Sequence, residues 1–105
     1  MYSRSVGTMP SAMRCLKFQL PEIVGSWESC QGSPDVRVFR NFSRKGGGIW
    51  VEFTYKNPKV VYLCPVKDLF GVRYFNLFGR IGIAYDSEHD ILMLSPYGEY
   101  QRADD

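Results

Sequence analysis

The sequence lacks several features that mark common classes of protein. It has one histidine, no Gly-x-Ser-x-Gly motif, and no glycine-rich loop followed by Lys-Ser or Lys-Thr. It therefore has neither a serine-hydrolase nucleophile elbow nor a phosphate-binding loop. No apolar run approaches the roughly 20 residues of a membrane-spanning helix. These absences predict a protein that is not an enzyme, uses no cofactor and has no membrane span.

Net charge and cysteine content are also low. The formal net charge is only +2, whereas nucleic-acid-binding domains usually have a strong basic excess, so nucleic acid is a disfavoured partner. The three cysteines, Cys15, Cys30 and Cys64, form no Cys-x-x-Cys pair, which argues against a structural metal. An odd number of cysteines favours reduced thiols, and hence the cytoplasm. A Cys30–Cys64 bridge remains the alternative, since the sequence does not fix their separation.

Aromatic and other hydrophobic residues are plentiful, at 15% and 45% of the 105 residues. That composition predicts one small folded domain. We expect residues 1–19 to form a flexible N-terminal arm, 20–102 to form the domain, and 103–105 to be a frayed tail. A short helical turn is predicted over 12–20. Pro21 should end it, because proline disfavours a helical conformation in the residue before it.

Strand signals continue from Val24 almost to the end of the chain. The clearest is the alternating stretch 49–56, whose predicted core face consists of Ile49, Val51, Phe53 and Tyr55. About eight such strands follow one another, one of them over 70–78, with turns every roughly 8–12 residues. No connection is long enough for a parallel crossover, so the strands are predicted to form an antiparallel meander. Because closure removes exposed strand edges, we expect an all-β barrel.

Several large aromatic residues are candidates for an interface or a ligand pocket: Trp50, Tyr55, Tyr62, Tyr74 and Tyr97. Trp50 lies on the strand face opposite the predicted core, and tryptophan is enriched among residues that dominate binding energy. The alternative is that Trp50 packs under the N-terminal arm or the 43–48 turn. Some small barrels hold one apolar ligand, but strands this short predict a filled interior.

Two polar clusters are further candidates. Basic residues interleaved with aromatic ones can bind single-stranded nucleic acid, or can protect a strand from edge-to-edge aggregation. This basic patch comprises Arg37, Arg40, Arg44 and Lys45. The stretch 86–90 holds the histidine and three carboxylates. It lacks the spacing of a calcium loop and is predicted to be a solvated turn, so no metal site is expected.

The segment 20–28, Leu-Pro-Glu-Ile-Val-Gly-Ser-Trp-Glu, resembles the opening of lipocalin-like barrels. There a helical turn leads into a strand with Gly-x-Trp, and the tryptophan closes one end of the barrel. The resemblance implies that Gly25 and Trp27 do so here. A wider pattern is similar to a small uncharacterised family of Bacteroides-type bacteria. It comprises Gly-Ser-Trp-Glu-Ser at 25–29, Tyr-Asp at 85–86, Leu-Met-Leu-Ser at 92–95 and Gly-Glu-Tyr-Gln-Arg at 98–102.

That family is often found in conjugative-transposon gene sets, and the resemblance covers roughly residues 20–102. It implies a lipocalin-like β fold with no established activity. The resulting prediction is a non-catalytic β-barrel binding or accessory module that contacts a protein partner or a second copy of itself, within a mobile genetic element. The alternatives are a carrier of a small apolar ligand and a weak binder of single-stranded nucleic acid.

Overall fold

A computed structural model describes residues 15–41 and 48–103 of the chain. Within these residues there is one short 3₁₀-helix, Leu20–Ile23, and nine β-strands. The strands are β1 Gly25–Ser29, β2 Asp35–Arg40, β3 Ile49–Lys56, β4 Lys59–Pro65, β5 Lys67–Leu69, β6 Val72–Asn76, β7 Arg80–Asp86, β8 Ile91–Ser95 and β9 Gly98–Arg102. The prediction of an all-β fold is confirmed, with nine strands where about eight were expected. No helix in the described part of the chain has the length and apolarity to cross a membrane.

The nine strands form one antiparallel sheet in the order β4-β3-β2-β1-β9-β8-β7-β6-β5. All neighbours are consecutive in sequence except β1 and β9, which pair with Trp27 opposite Arg102. The two edge strands, β4 and β5, are separated in the chain by Val66 alone. The sheet must therefore curl until its two edges meet, and β4 approaches β6. The predicted antiparallel meander closing into a barrel is confirmed, and the closure is nearly complete.

The barrel interior is filled by its own side chains. In β3, Ile49, Val51 and Phe53 are buried as the alternation predicts, and Tyr55 is half-buried at the strand end. The largest fully buried side chains belong to the same core cluster and are Trp27, Tyr100, Phe53 and Phe75. Close packing of side chains this large occupies the space that a ligand cup would need.

The helical turn lies later in the chain than the sequence predicted. It begins at Leu20 and has Pro21 in its first turn, whereas the prediction had Pro21 ending a turn over 12–20. Residues 12–14 lie outside the described residues. Proline suits a first turn, because its missing N–H needs no partner there and its φ is already helical. The Glu22 carboxylate accepts the backbone N–H of Gln19 at 2.7 Å, which stabilises this start.

The predicted strand over 70–78 is also wrong in its bounds. Phe70 and Gly71 form a turn between β5 and β6, with φ of 54° and 87°. Positive φ at both central residues is what a tight hairpin turn requires. Phe78 and Gly79 also have positive φ, 55° and 132°, in the three-residue turn 77–79 between β6 and β7. The aromatic composition favoured a strand, and the glycine after each phenylalanine marked the turns.

Residues beside the predicted domain boundaries contact the barrel. Phe18, in the predicted arm, is 6% exposed, and its ring meets that of Tyr85 edge-on. The Cys15 carbonyl accepts the backbone N–H of Tyr85 at 2.8 Å. At the other boundary, Ala103 donates its N–H to the Ser26 carbonyl at 2.8 Å. Residues 104–105 lie outside the described part.

Candidate functional site

One end of the barrel is covered by the 3₁₀-helix, and Trp27 of β1 lies against it. The Trp27 side chain is 1% exposed. Its indole N–H donates to the Ile23 carbonyl at 2.9 Å. The Arg102 guanidinium, from the paired strand β9, stacks over the indole at 4.3 Å from the ring centroid. The tryptophan is thus held by hydrogen bonding, stacking and burial together.

Arg102 ties the helical turn to the barrel wall. Its guanidinium donates to the carbonyls of Glu22 and Val24, each at 2.8 Å. It also forms a bidentate pair with Asp90, at 2.8 and 3.0 Å. The Tyr85 hydroxyl donates to the same carboxylate at 2.7 Å. The hydrogen bonds from Arg102 and Tyr85 lower the pKa of Asp90, because they stabilise its ionised form.

The Arg102 side chain also explains the glycine of Gly25-Ser-Trp27. A Cβ atom on residue 25 would lie 2.6 Å from Nη1 of Arg102, and Gly25 has φ of +141°. The positive φ favours glycine at this position, and a Cβ atom would also displace the Arg102 Nη1 atom, which donates to the Val24 carbonyl. The resemblance selected Gly25 and Trp27 from the sequence, but it did not find Arg102 or Asp90. Their roles depend on the β1–β9 register, which no local pattern reveals.

The opposite end of the barrel holds three of the five aromatic candidates, Tyr55, Tyr62 and Tyr97. The Tyr55 and Tyr97 hydroxyl oxygens are 3.3 Å apart. The ring of Tyr62 meets the Tyr55 ring edge-on at 5.9 Å, and the Tyr97 ring lies 4.9 Å from that of Phe53 in the core. We call these three residues the tyrosine end. The hydrogen bond with Tyr97, together with burial, raises the pKa of Tyr55 to about 12.

A cleft of about 420 Å³ opens beside Tyr55. Most of the residues that line it are polar or charged, and the full set is Glu28, Ser29, Gly32, Ser33, Pro34, Asp35, Tyr55 and Lys56. Lys56 pairs with Asp35 at 3.1 Å, and the Ser33 hydroxyl donates to the Tyr97 carbonyl at 3.0 Å. Pockets for apolar ligands are lined mainly by hydrophobic side chains. The chemistry of this cleft therefore favours a polar contact over an apolar ligand.

The other two aromatic candidates lie on the outside of the barrel, away from the tyrosine end. Trp50 is half-buried, with Phe39 of β2 opposite it on one side and Pro65 of β4 on the other. Tyr74 of β6 is half-buried, and the Arg80 guanidinium lies 4.4 Å from its ring centroid. The structure therefore does not gather the five residues into one site.

The predicted basic patch lies partly outside the described residues, where Arg44 and Lys45 fall. Arg37 pairs with Glu52 at 2.9 Å and stacks over Phe39 at 4.5 Å from the ring centroid. Arg40 is exposed at the end of β2. Pairing with a carboxylate offsets the charge of Arg37, which weakens the attraction of this patch for a polyanion.

The polar stretch 86–90 forms a turn between β7 and β8. Ligand atoms of Asp86, Glu88 and His89 lie within 4.8 Å of one another. The His89 ring nitrogen is 2.8 Å from the Asp86 carboxylate, which lowers the pKa of Asp86. Asp86 also accepts the backbone N–H of Glu88 at 3.1 Å, a local bond that is typical of turns.

The three cysteines are free thiols, so the alternative Cys30–Cys64 bridge is not present. Cys64 is buried in the core, and burial raises the pKa of its thiol. Cys30 is exposed and Cys15 is intermediate. The expectation of three unpaired thiols agrees with this arrangement.

Residues 11–102 match the sequence profile of a family described as a domain of unknown function, B. theta gene description (DUF3876). The chain belongs to the DUF3876 family. The predicted membership of an uncharacterised Bacteroides-type family is thereby confirmed. The match includes both ends of the barrel, from the 3₁₀-helix to Arg102. Comparisons with curated proteins and with solved structures gave no match.

The DUF3876 domain also carries exposed apolar side chains on β4, β5 and β6 and in the turns at the two ends of β6. The most exposed are Phe70, at 97%, and Phe78, at 80%. We use the term apolar flank for the six exposed apolar residues in or beside β4, β5 and β6, namely Val61, Leu63, Leu69, Phe70, Val72 and Phe78. Sequence analysis missed this surface because it placed Phe70 and Phe78 inside a strand.

Proposed function

We propose that this DUF3876 domain is a non-catalytic β-barrel accessory module that acts through protein contacts. The supporting observation is the apolar flank. Scattered exposed apolar residues are normal on a protein surface, but a concentration of them on one side marks an interaction site. Among the large apolar side chains of the described residues, those with the highest exposure come from this one third of the barrel.

The conformations of Phe70 and Phe78 strengthen the proposal. Both have positive φ, 54° and 55°, where a bulky side chain is unfavourable. Both are also largely exposed and lie outside the core, although the Phe78 ring has one edge-on contact with the ring of Tyr62. Phenylalanine at these turn positions therefore does little for folding. Strained residues that do not serve the fold are typical of binding surfaces.

We also infer a setting for the module. The Gly25-x-Trp27 segment and its helical turn support a lipocalin-like barrel. The resemblance described above supports a place in conjugative-transposon gene sets, and three free thiols support a cytoplasmic location. Inspection of the neighbouring genes tests the transposon setting. Fractionation of cells of the source organism tests the location.

Site-specific photo-crosslinking in the source organism tests the protein contact. A photoreactive phenylalanine analogue at position 70 or 78 should yield the same protein adduct from both positions. The matched control is the analogue at position 99, because Glu99 is exposed on β9, on the far side of the sheet from the apolar flank. Adducts that are equally strong from position 99, or absent from 70 and 78, would contradict the proposal.

A double variant, Phe70→Ser with Phe78→Ser, separates contact from folding. Exposed side chains contribute little to stability, and the ring contact that is lost is that of Phe78 with Tyr62. The free energy of unfolding should therefore change by no more than about 1.5 kcal/mol. With the photoreactive analogue placed at position 69, the protein adduct should form in the otherwise unchanged protein and should be lost in the double variant. A large loss of stability would show that the two phenylalanines serve the fold instead.

A further inference from the structure

The barrel has a break between β4 and β6, which we call the seam. β4 pairs with β3 along its whole length, from Lys59 opposite Lys56 to Pro65 opposite Trp50. After Val66, β5 pairs with β6, with Lys67 opposite Tyr74. Over the described ranges, no strand pairs with the second side of β4. The wall is therefore joined at one end of the seam and unpaired at the other.

The direction of the β4 backbone groups follows from one hydrogen bond. The Val66 N–H donates to the Ile49 carbonyl at 2.9 Å, towards β3. Backbone groups of successive residues point to opposite sides of a strand. The groups that point into the seam are therefore those of Lys59, Val61, Leu63 and Pro65. Pro65 has no N–H, so the pairing with β6 cannot continue past this position in the usual way.

The side chains beside the seam are apolar. Val61 and Leu63 are 44% and 54% exposed on the outer face of β4. Across the seam, the ring of Phe78 meets the Tyr62 ring edge-on at 5.2 Å and remains largely exposed. An unpaired strand edge bordered by apolar side chains is the surface that an extended peptide uses when it adds a strand to a sheet.

The charge along this edge restricts the partner. Lys59 is exposed at the seam edge of β4, and Arg80, also exposed, follows Phe78 at the opposite border, whereas residues 59–66 contain no carboxylate. A second copy would bring the same positive residues and no carboxylate from its own β4 edge, so it would not complement the charge of Lys59 and Arg80. An extended segment with alternating apolar residues and acidic flanks complements both the apolar border and the charge.

We propose that the seam binds such a segment of a partner protein as an added strand antiparallel to β4. This inference rests on the proposed function, and it identifies which part of the apolar flank would bind the partner protein. The added strand would bond to the backbone groups of Lys59, Val61 and Leu63. Its apolar side chains would pack against Val61, Leu63 and Phe78.

Amide hydrogen exchange measured by NMR on the full chain tests the added strand. The probe is a synthetic peptide of alternating valine and threonine flanked by glutamates. It should slow exchange at Lys59, Val61 and Leu63 by about tenfold or more, because hydrogen-bonded amides exchange only when the structure opens. A lysine-flanked peptide of the same core should give a much smaller effect.

The substitution Val61→Pro removes a seam-facing N–H and leaves the bonds to β3 intact, and it should abolish the effect of the peptide. Val61→Thr, which keeps the N–H and the β-branched shape, should preserve it. Four outcomes would overturn the proposal: no slowing with the acidic peptide, equal slowing with both peptides, seam amides already protected in the free protein, or protection that rises with protein concentration alone. If the seam proposal fails but positions 70 and 78 still crosslink to a partner protein, the proposed function as a protein-contact module is retained. If those crosslinks are also absent, the proposed function fails as well.

Discussion

The two ends of the barrel are closed by different chemistry. At the helical end, the fully buried Trp27 is covered by the 3₁₀-helix and fixed by Arg102, which also binds two backbone carbonyls and a carboxylate. At the tyrosine end, half-buried rings meet through a 3.3 Å contact between the Tyr55 and Tyr97 hydroxyls, next to an open polar cleft. The helical end is thus closed over a fully buried ring, whereas the tyrosine end opens to solvent at the cleft.

This difference implies that the helical end contributes more to stability and that the tyrosine end contributes more to contacts with other molecules. Burial of a large apolar side chain and charge-assisted hydrogen bonds contribute several times more to stability than hydroxyl contacts near water. The helical end should therefore determine whether the barrel folds. The tyrosine end and the adjoining seam tolerate change and remain available for contacts. Substitutions at the two ends should differ accordingly.

The largest effect is expected for Trp27→Ala. Removing a fully buried aromatic side chain should lower the free energy of unfolding by about 3–5 kcal/mol, because a cavity is left and packing is lost. Urea unfolding followed by circular dichroism measures it. The control is Trp50→Ala, since Trp50 is half-buried on the outer face and its loss should be clearly smaller. Equal losses would remove the distinction between the helical end and the outer wall.

Arg102→Met should have the next largest effect. It keeps the apolar stem but removes the hydrogen bonds to Glu22, Val24 and Asp90, at a cost of about 2 kcal/mol. Arg37→Met is the matched control, because its pair with Glu52 is about as exposed as the Arg102–Asp90 pair but joins only two neighbouring strands. Its loss should cost no more than about 1 kcal/mol.

The same variant should change the response to acid. The pKa of Asp90 is lowered in the folded state, so its contribution is present above the ordinary aspartate pKa of about 3.9 and is lost as the pH falls through the folded value. Without Arg102, stability should decline less steeply below about pH 4. An unchanged acid slope would show that the ion pair does not stabilise the helical end.

The smallest effect should come from the tyrosine end. Tyr55→Phe should cost no more than about 1 kcal/mol at neutral pH, because it removes one partly hydrated hydrogen bond. Its effect should be clearest in alkaline solution. The pKa of Tyr55 rises from 10.0 to about 12 on folding, so between these values the unfolded chain releases a proton that the folded chain keeps, and stability falls as the pH rises.

Tyr55→Phe should make that alkaline fall shallower, as measured by urea unfolding at a series of pH values. Tyr97→Phe should do the same, because the hydrogen bond with Tyr97 is the main cause of the raised pKa. If Tyr97→Phe leaves the alkaline slope unchanged, the hydroxyl contact does not hold the tyrosine end together.

Local patterns predicted the strands and failed at contacts that join distant parts of the chain. The alternation over Ile49–Lys56 identified the buried face of β3, because side chains on a strand point to opposite sides in turn. Tyr55 and Tyr97 are 42 positions apart, and only the register of the sheet brings them together. The prediction placed Phe70 in a strand because the residue types of segment 70–78 favour a strand. Its actual conformation is set by the tight turn that it forms with Gly71.

The pairing of β1 with β9 has a consequence for synthesis on the ribosome. The carbonyls of Val24 and Glu22 are bonded by Arg102, which lies 78 and 80 positions later in the chain. The helical end therefore cannot close until the last strand has left the exit tunnel. Contacts between such distant positions also make folding slow relative to helical proteins of similar length. A nascent chain that stops before β9 exposes Trp27 and the inner face of β1, and such incomplete sheets are the ones that chaperones must shield.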